Sequence, residues 1–342
     1  MRTTNLLCAF LIIIGVAVVG CDKSGSGSGG AGSAPTRKVT TAPAGAPLKF
    51  AFVTNNVSDF WKLAEAGVRQ YEKESGVKVD MKQPPGGKVE EQNRFLEDLT
   101  SQGYNGIAIS VIAPDAQVPQ INRAATMTNV ITHDSDAAKS NRLAYIGTNN
   151  YEAGKRLGQE IIKLLPTGGK VAVFVGMMSA DNARQRYQGI KDAVAGKNIE
   201  VLQPKEDNKD PNAARTNVES VINSQPDVKL YVGLWSYNGP AIANAIEASG
   251  KKGKLLAAVF DEEEGTLKGI ENGTIACTVV QKPYQFGYQS ARLLHNLATQ
   301  GEAALPKDPI IDTGVDVINN QPTAATSRNV GQFRAELAKM KG

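Results

Sequence analysis

The sequence predicts an α/β protein made of two doubly wound lobes, each a mostly parallel sheet covered by helices on both faces. Three observations support this prediction. Short apolar strand-like segments alternate with helical segments from Leu48 to Val280. The alternation stops at residues 166–169, a Pro-Thr-Gly-Gly turn, and then starts again, which indicates two series. With 342 residues the chain also exceeds the size that a single hydrophobic core usually reaches.

The first series runs up to the turn at residues 166–169. Its predicted strands are residues 49–53, 77–82, 106–110, 129–133 and 142–147. Its predicted helices are residues 59–75, 89–102, 116–126 and 150–165, the last capped by Asn150. Helical spacing is clearest in residues 59–75, where one apolar stripe contains Phe60, Leu63, Ala64, Gly67, Val68 and Tyr71.

The second series repeats this order. Its predicted strands are residues 170–175, 199–203, 229–233, 255–260 and 278–280. Its predicted helices are residues 182–195, 211–224, 240–249 and 266–272. Open sheets of this kind bind ligands beyond the carboxyl ends of their strands. The residues that directly follow each strand are therefore the candidates for a binding site.

The first 21 residues have the pattern of an export signal. The apolar run 6–19 is too short to span a membrane, which needs roughly 20 apolar residues, and it is typical of a signal-peptide core. Gly20-Cys21 resembles the lipobox of bacterial lipoproteins, which implies cleavage before Cys21 and a lipid on its sulfur. An ordinary signal or a core strand is the alternative. We expect residues 1–20 to be the signal peptide and residues 21–46, rich in Gly and Ser, to be a disordered tether.

Composition argues against several other classes of protein. The net charge of +4 forms no basic stripe, so nucleic-acid binding is not expected. Only two histidines, His133 and His295, occur in the chain, which disfavours zinc sites and Ser–His catalysis. Beyond the leader and Cys21 the single cysteine is Cys277, so no intramolecular disulfide is expected there. No G-x-S-x-G nucleophile elbow is present, and we expect no cofactor, no metal and no catalytic residue.

The residues after the predicted strands combine hydrogen-bonding and aromatic side chains. They include Asn55, Asn56, Phe60, Trp61, Asp134, Arg184, Trp235, Asn238, Asp261 and Gln281. Carboxylates, amides and guanidinium groups bond hydroxyls, and aromatic faces cover apolar C–H surfaces. This combination matches a sugar.

Several of these residues also have a purely structural interpretation. Asp134 could cap a turn, and Asp261 could open a helix. Arg184 could belong to a surface salt bridge, although Arg186 is the better candidate for one. Asn238 could hold its loop. Phe60 and Trp61 are neighbours on a helix, so we expect one to pack in the core and the other to stack on a ligand.

At this level of detail the chain resembles the periplasmic sugar-binding proteins of the ribose-binding type, which supply ABC transporters. The resemblance covers residues 48–318 and is most specific at residues 130–134, 145–154, 183–189, 259–261 and 280–287. It implies two lobes joined by three hinge crossings, near residues 147–149, 281–282 and 312–314, with a ligand cleft between the lobes. The N-terminal lobe would comprise residues 47–148 plus 282–312, and the C-terminal lobe residues 149–281 plus 313–342.

The resemblance also assigns roles to individual residues. Asp134 and Asp261 match the two sugar-binding aspartates, Arg184 matches the arginine, and Gln281 matches the glutamine at the second crossing. Phe60 and Trp61 match the aromatic pair. The candidate ligand-binding residues are Asn56, Phe60, Trp61, Asp134, Arg184, Trp235, Asn238, Asp261 and Gln281.

Two departures bear on the identity of the sugar. Ribose-binding members have an arginine directly after the first aspartate, where this chain has Ser135. They also have an asparagine–aspartate pair on the loop that here contains Trp235-Ser236-Tyr237-Asn238. Pentoses, hexoses, polyols and sugar-like furanoses all remain compatible with this set of residues.

The sequence therefore predicts a non-catalytic, monomeric receptor outside the cytoplasm, anchored to a membrane through Cys21. It would capture a sugar and deliver it to an ABC permease and its ATPase subunit. The alternative within the same fold is a sensor that presents its ligand to a chemoreceptor or a sensor kinase. A ligand-controlled repressor shares the fold, but the export signal and the lack of a helix-turn-helix argue against it. An exported hydrolase would need a nucleophile motif that the sequence lacks.

Overall fold

The computed structural model describes residues 38–58, 60–320 and 327–341. The predicted signal peptide, Cys21 and the first part of the predicted tether lie outside these residues. Within the described ranges, no helix is long and apolar enough to cross a membrane.

Strands and helices alternate along the described chain. The first half contains β1 (Phe50–Val53), α1 (Phe60–Ser75), β2 (Val79–Lys82), α2 (Val89–Ser101), β3 (Gly106–Ile109), α3 (Pro114–Ala125), β4 (Asn129–His133), β5 (Tyr145–Gly147) and α4 (Asn150–Leu164). It continues with β6 (Gly169–Val175), α5 (Asp181–Val194), β7 (Ile199–Val201), β8 (Lys205–Glu206), α6 (Pro211–Ser224), β9 (Val228–Gly233) and α7 (Asn238–Ala248). The last part contains β10 (Leu256–Phe260), α8 (Glu264–Glu271), β11 (Cys277–Val280), α9 (Pro283–Gln300), a short 3-10 helix (Gly301–Ala304), β12 (Ile310–Asp312), β13 (Asp316–Asn319), β14 (Ser327–Asn329) and α10 (Val330–Lys341).

These strands form two separate sheets. The first has the order β12-β5-β4-β3-β1-β2 and is parallel throughout. The second has the order β14-β13-β11-β10-β9-β6-β7, with β8 also paired to β6. In the second sheet β13 runs antiparallel to β11, and the other pairs are parallel. The predicted fold class, two doubly wound α/β lobes, is confirmed.

Apolar side chains cover both faces of both sheets. In β1 every residue is buried, as expected for a strand with helices above and below it. Two apolar clusters lie on opposite faces of the first sheet, one around Phe52 and Leu294 and the other around Ile109 and Leu96. Two further clusters enclose the second sheet. Each lobe therefore has its own core, which leaves the polar strand ends available for a site.

Within residues 38–58, 60–320 and 327–341, three short segments join the two sheets. Residues 148–149 follow β5, residues 281–282 follow β11, and residues 313–315 follow β12. Two of these crossings are bonded to each other, because the Asn149 N–H donates to Asp312 Oδ1 at 3.0 Å and the Thr313 N–H donates to the Gly147 carbonyl at 2.8 Å. At the remaining crossing Lys282 Nζ lies 3.5 Å from Asp316 Oδ1.

The segment that leads into β1 corrects only the end of the tether predicted over residues 21–46, because residues 21–37 lie outside the described part of the chain. Residues 38–46 lie against the first lobe. The Thr40 N–H donates to Asn129 Oδ1 at 2.9 Å, and Asn129 Nδ2 returns a bond to the Thr40 carbonyl at 2.7 Å. The Ala42 N–H donates to the Ala298 carbonyl, and Val39 packs against the core. These contacts attach the segment to the first lobe, although its composition alone is typical of a flexible linker.

Two helix details also differ from the predictions. In α1 the buried stripe contains Trp61, whereas Phe60 is only half-buried. The N-cap of α4 is Asn149, whose side-chain oxygen accepts from the Glu152 N–H at 3.2 Å, and Asn150 is the first helical residue. The side-chain oxygen of Asn150 is thereby left free to accept a buried hydrogen bond from Arg186 Nε at 2.8 Å.

Candidate functional site

A cleft of about 490 Å³ opens where the carboxyl ends of the strands of both sheets face each other. The residues after β1, β3, β4, β6, β9, β10 and β11 reach it, as the rule for open parallel sheets requires. Its polar and aromatic lining residues are Asn55, Asn56, Ser58, Phe60, Trp61, Asp134, Ser135, Asn182, Arg186, Lys209, Trp235, Ser236, Tyr237, Asp261 and Gln281.

Asp134 supplies one carboxylate from the first lobe. It is 8% exposed and directly follows β4, with its backbone in the left-handed region at φ 56°. Its Oδ2 accepts from Ser110 Oγ at 2.7 Å and from Asn55 Nδ2 at 3.3 Å. Burial raises the pKa of Asp134 to about 6, although the Ser110 hydroxyl and the charge of Arg186 act in the opposite direction. Both of these hydrogen bonds are made by Oδ2 of the Asp134 carboxyl group, which lines the cleft.

Asp261 supplies the second carboxylate from the other lobe. It is 5% exposed, directly follows β10, and has φ 66°. Its Oδ1 accepts from Gln281 Nε2 at 2.9 Å. Burial raises its pKa, and the nearby charge of Arg186 partly offsets this shift. Within the described chain Gln281 Oε1 is buried and makes no hydrogen bond, which leaves it an available acceptor on the cleft wall.

The structure places Arg186, not Arg184, in the cleft. Arg186 is 2% exposed, and its Nη1 lies 3.8 Å from Asp261 Oδ2. Arg184 lies on the surface, where its guanidinium bonds Asp181 and the carbonyls of residues 178 and 179. The prediction that Arg184 contacts the ligand, and that Arg186 is the surface residue, is wrong.

Helix geometry explains this reversal. Two residues that are two positions apart on a helix point about 200° away from each other, so only one arginine can face inward. The buried stripe of α5 contains Ala183, Arg186, Tyr187, Ile190 and Val194, a helical spacing that includes position 186 and excludes 184. In the sequence, position 186 falls three or four residues from apolar positions 183 and 190, as the inward face of a helix requires, whereas position 184 does not fit this spacing.

Arg186 is held rigidly behind its contact with Asp261. Its Nε donates to Asn150 Oδ1 at 2.8 Å, its Nη1 donates to the Leu234 carbonyl at 2.6 Å, and its guanidinium lies 4.3 Å from the centre of the Phe260 ring. Gly154 of α4 touches its backbone, since a Cβ at that glycine would overlap the Arg186 carbonyl oxygen. The close approach of α4 therefore sets the position of this cation.

The first lobe presents an aromatic wall. Trp61 is buried, and its Nε1 donates to Asn56 Oδ1 at 2.9 Å. Its ring meets those of Phe60 and His133 edge-on, with centroids 5.0 and 5.5 Å apart. Burial lowers the pKa of His133 to about 3, so this imidazole is a neutral packing group. Phe60, half-buried, is the more accessible ring of the pair.

The second lobe presents Trp235 on the opposite side of the cleft. Its indole Nε1 donates to Asn182 Oδ1 at 3.2 Å, and its ring meets that of Tyr237 at 72°. Asn238 does not line the cleft. It is fully buried, and its amide bonds the Trp235 N–H and Asp207. The prediction of Asn238 as a ligand contact is therefore corrected to a residue that supports the loop.

Several polar residues that line this cleft were left out of the predicted ligand-binding set, among them Asn55, Asn182, Arg186 and Tyr237. Asn55 and Tyr237 adjoin or lie between predicted contacts, so they could have been included by position. Asn182 is the second residue of α5, and only the packing of that helix turns it toward Trp235.

The chemistry of the cleft is that of recognition. Two buried carboxylates offer acceptors, a fixed guanidinium offers donors, and amides offer both, which suits a compact molecule with several hydroxyl groups. Aromatic rings on both sides offer apolar faces. Among the described residues no group of three or more His, Cys, Asp or Glu side chains could hold a metal ion.

Comparison with known proteins gives consistent matches over most of the chain. Residues 50–303 match the family model of the periplasmic binding protein domain. A curated relative, the xylose/arabinose-binding protein of Sulfolobus acidocaldarius, is 30% identical over 260 residues, which is 70% of this chain and 63% of the relative. The chain thus spans less than two thirds of that relative's length.

Solved structures give similar matches. A solute-binding protein of an ABC transporter from Burkholderia graminis, in complex with D-arabinose, is 31% identical with a TM-score of 0.78, covering 84% of this chain and all of that one. XylFII, solved in a complex with LytSN, is 26% identical with a TM-score of 0.71, covering 80% of this chain and 98% of its own.

Proposed function

Since the chain belongs to the periplasmic binding protein family, we propose that it captures a sugar or sugar-like molecule between its two lobes and delivers it to an ABC permease. The observation that carries this proposal is the pairing of buried Asp134 and Asp261 around one cleft, with Arg186 beside the second. Burying a carboxylate costs free energy unless its oxygens accept hydrogen bonds, and the hydroxyl groups of a sugar can donate these bonds.

The ligand in this proposal lies between the aromatic walls. Phe60 from the first lobe and Trp235 from the second would cover its apolar faces, while Asp134, Asp261 and Gln281 would bond its hydroxyls. Ser135 stands where the ribose-binding type has an arginine, and its hydroxyl is engaged by the Val111 carbonyl at 2.7 Å. This difference favours a sugar other than ribose.

The two lobes are the moving parts of the proposed mechanism. They comprise residues 47–148 plus 282–312 and residues 149–281 plus 313–342, joined at the three crossings. Closure about these crossings would bring Asp134 and Asp261 onto opposite sides of the same ligand and exclude water from it. The protein would act as a monomer without cofactor or catalysis, outside the cytoplasm, tied to a membrane through Cys21.

A thermal-unfolding screen of the purified protein tests the proposal. The probes are D-arabinose, D-xylose, D-ribose, D-glucose and D-galactose. A sugar present at about 100 times its dissociation constant should stabilise the folded protein by about 2.7 kcal/mol, and the unfolding temperature should rise accordingly. If none of the five changes the unfolding temperature at a concentration of about 10 mM, capture of these pentoses and hexoses is the wrong function, because binding at a Kd of about 0.1 mM would by then give the full shift.

Signalling is the second candidate, because the similar protein XylFII is solved in a complex with LytSN. In that case the closed, sugar-bound protein would present its surface to a sensor instead of a permease. Reconstitution with the permease and ATPase from the same organism separates the two roles. Sugar-dependent stimulation of ATP hydrolysis supports transport, and its absence together with sugar-dependent binding of a sensor supports signalling.

A further inference from the structure

The loop that carries Trp235 is supported from behind by a buried carboxylate, Asp207. This residue follows β8, is 2% exposed, and does not line the cleft. Its Oδ1 accepts from the Tyr237 hydroxyl at 2.5 Å and from the Lys209 N–H at 2.9 Å, and its Oδ2 accepts from Asn238 Nδ2 at 3.0 Å. Burial raises the pKa of Asp207, and these three donors oppose the shift.

Asp207 sets the orientation of the Asn238 amide. A carboxylate can only accept hydrogen bonds, so it requires the NH₂ end of Asn238 to point toward it. The oxygen end then faces the Trp235 N–H, from which it accepts at 3.0 Å. If the amide were reversed, both of these bonds would be lost. By orienting the Asn238 amide, the Asp207 carboxylate therefore also determines the hydrogen bond between the Trp235 N–H and Asn238 Oδ1.

The indole of Trp235 has little freedom once its loop is held. Its Nε1 bonds Asn182, and its ring meets Tyr237, whose hydroxyl bonds Asp207. Gly176 lies directly against the ring, since a Cβ there would overlap the indole Cζ3 atom. The ring is thus held by Gly176, by the Tyr237 ring and by the Asn182 bond to its nitrogen.

We propose that Asp207 is a positioning residue for ligand binding, which holds Trp235 through Asn238 and Tyr237 as a preformed wall of the cleft. A wall that is ordered before the ligand arrives does not have to be ordered by it, and affinity rises accordingly. The effect on affinity rests on the proposed function. The order of the indole in the sugar-free protein does not, so the two can be tested separately.

An exchange of the two partners provides the decisive variants. In Asp207→Asn the two donors at Oδ1, the Tyr237 hydroxyl and the Lys209 N–H, hold the amide oxygen on their side. The new NH₂ group then faces the NH₂ group of Asn238, and the bond between residues 207 and 238 is lost. Asn238→Asp places two carboxylates against each other. The double variant restores one donor facing one acceptor, keeps the charge, and leaves a carboxylate oxygen at position 238 for the Trp235 N–H. Because each side chain keeps its shape, packing is unchanged in all three.

Two readouts are measured, the dissociation constant for D-arabinose (or another sugar of the panel that binds) and the acrylamide quenching of Trp235 fluorescence without sugar. Quenching is measured in a Trp61→Phe background, where Trp235 is the only tryptophan of the chain. Asp207→Asn should weaken binding about fivefold or more and increase quenching. The double variant should return both values to within about twofold of the parent.

Each outcome decides the proposal. Unchanged quenching in Asp207→Asn, or a double variant no better than Asp207→Asn, overturns it. Increased quenching with unchanged affinity overturns the claim that the position of Trp235 contributes to sugar binding. If no sugar of the panel binds the parent, the proposed function fails while quenching still decides the positioning role. If Asp207→Asn does not fold, Tyr237→Phe replaces it, and unchanged quenching there overturns the proposal.

Discussion

Asp134 and Asp261 occupy equivalent places in the two sheets. Each is the first residue after its strand, with φ of 56° and 66°, and each donates its N–H to a carbonyl of the neighbouring strand that leads into a crossing, Ile146 O and Val279 O respectively. A non-glycine residue in this backbone region carries a cost of about 1–3 kcal/mol. The same conformation at both positions aims both carboxylates at one cleft.

Replacing Asp261 should weaken sugar binding. Asp261→Ala removes a charged acceptor, and because hydrogen bonds to charged groups contribute roughly 1.5–3 kcal/mol, the dissociation constant should rise about tenfold or more. The control is Glu263→Ala, two positions along the chain, whose side chain is exposed and does not line this cleft. Titration calorimetry with the screened sugar measures both. Equal affinities for the two variants would contradict the assigned site.

The two arginines of α5 should behave differently. Arg186→Lys loses the fixed bonds to Asn150 and the Leu234 carbonyl, so we expect at least about tenfold weaker binding and about 2 kcal/mol or more of lost stability. Arg184→Lys, on the exposed side of the same helix, should change affinity by less than about twofold. Calorimetry and urea unfolding are run in parallel. If Arg184→Lys has the larger effect on affinity, the placement of these arginines is wrong.

Stability should fall with rising pH through the titration of Asp134. Burial raises its pKa from 3.8 to about 6, so between these values the folded chain holds a proton that the unfolded chain has released. The stabilisation from this group is complete below pH 3.8 and is lost as the pH passes about 6. Asp134→Asn removes it. The free energy of unfolding of the parent, relative to this variant, should decrease by about 2–3 kcal/mol between about pH 4 and pH 7.

Urea unfolding at four pH values spread over this interval measures the difference. Glu263→Gln, at an exposed position, serves as the carboxylate-to-amide control. A parent–variant difference that stays constant across the four pH values would show that Asp134 titrates at its ordinary pKa in the folded protein.

Sugar should make the molecule more compact. Within the described chain the backbone crosses between the lobes at residues 148–149, 281–282 and 313–315, where rotations can be absorbed, and the apolar contact of Leu63 in α1 with the core of the second lobe has to adjust as they move. Solution X-ray scattering should give a smaller radius of gyration at saturating sugar. Asp261→Ala at the same sugar concentration is the control and should shrink less. An unchanged radius in the saturated parent rules out closure.

Loss of Cys21 should release the protein from membranes. The apolar run 6–19 and the Gly20-Cys21 pair predict lipid attachment there. Cys21→Ser should move the protein to the soluble fraction after cell disruption. Cys277→Ser is the control, since this cysteine is buried in β11, and it should fractionate as the parent does. Membrane association of the Cys21→Ser variant would disprove the anchor.

The sequence predicts the strands of this protein and the residues that directly follow them, because both depend on the pattern of neighbouring residues. Strands such as β4 were assigned with their observed bounds, because buried strands of parallel sheets are continuous apolar runs. Asp134, Asp261 and Gln281 were found by position, because the end of a parallel strand necessarily faces the edge where ligands bind.

Tertiary packing decided which of several equally suitable side chains reach the cleft. Helical spacing already favours position 186 over position 184 as the inward residue of α5, but only the packing of α5 against α4, which Gly154 permits, brings that face to the cleft. Asn238 is drawn behind the wall by Asp207, which is 31 positions away in the chain. The spacing of residue types within one helix or strand does not indicate hydrogen bonds between positions that are far apart in the chain. The sequence by itself therefore determined the fold and the strand-end residues, and only the folded chain decided which side chains face the cleft and which hold the others in place.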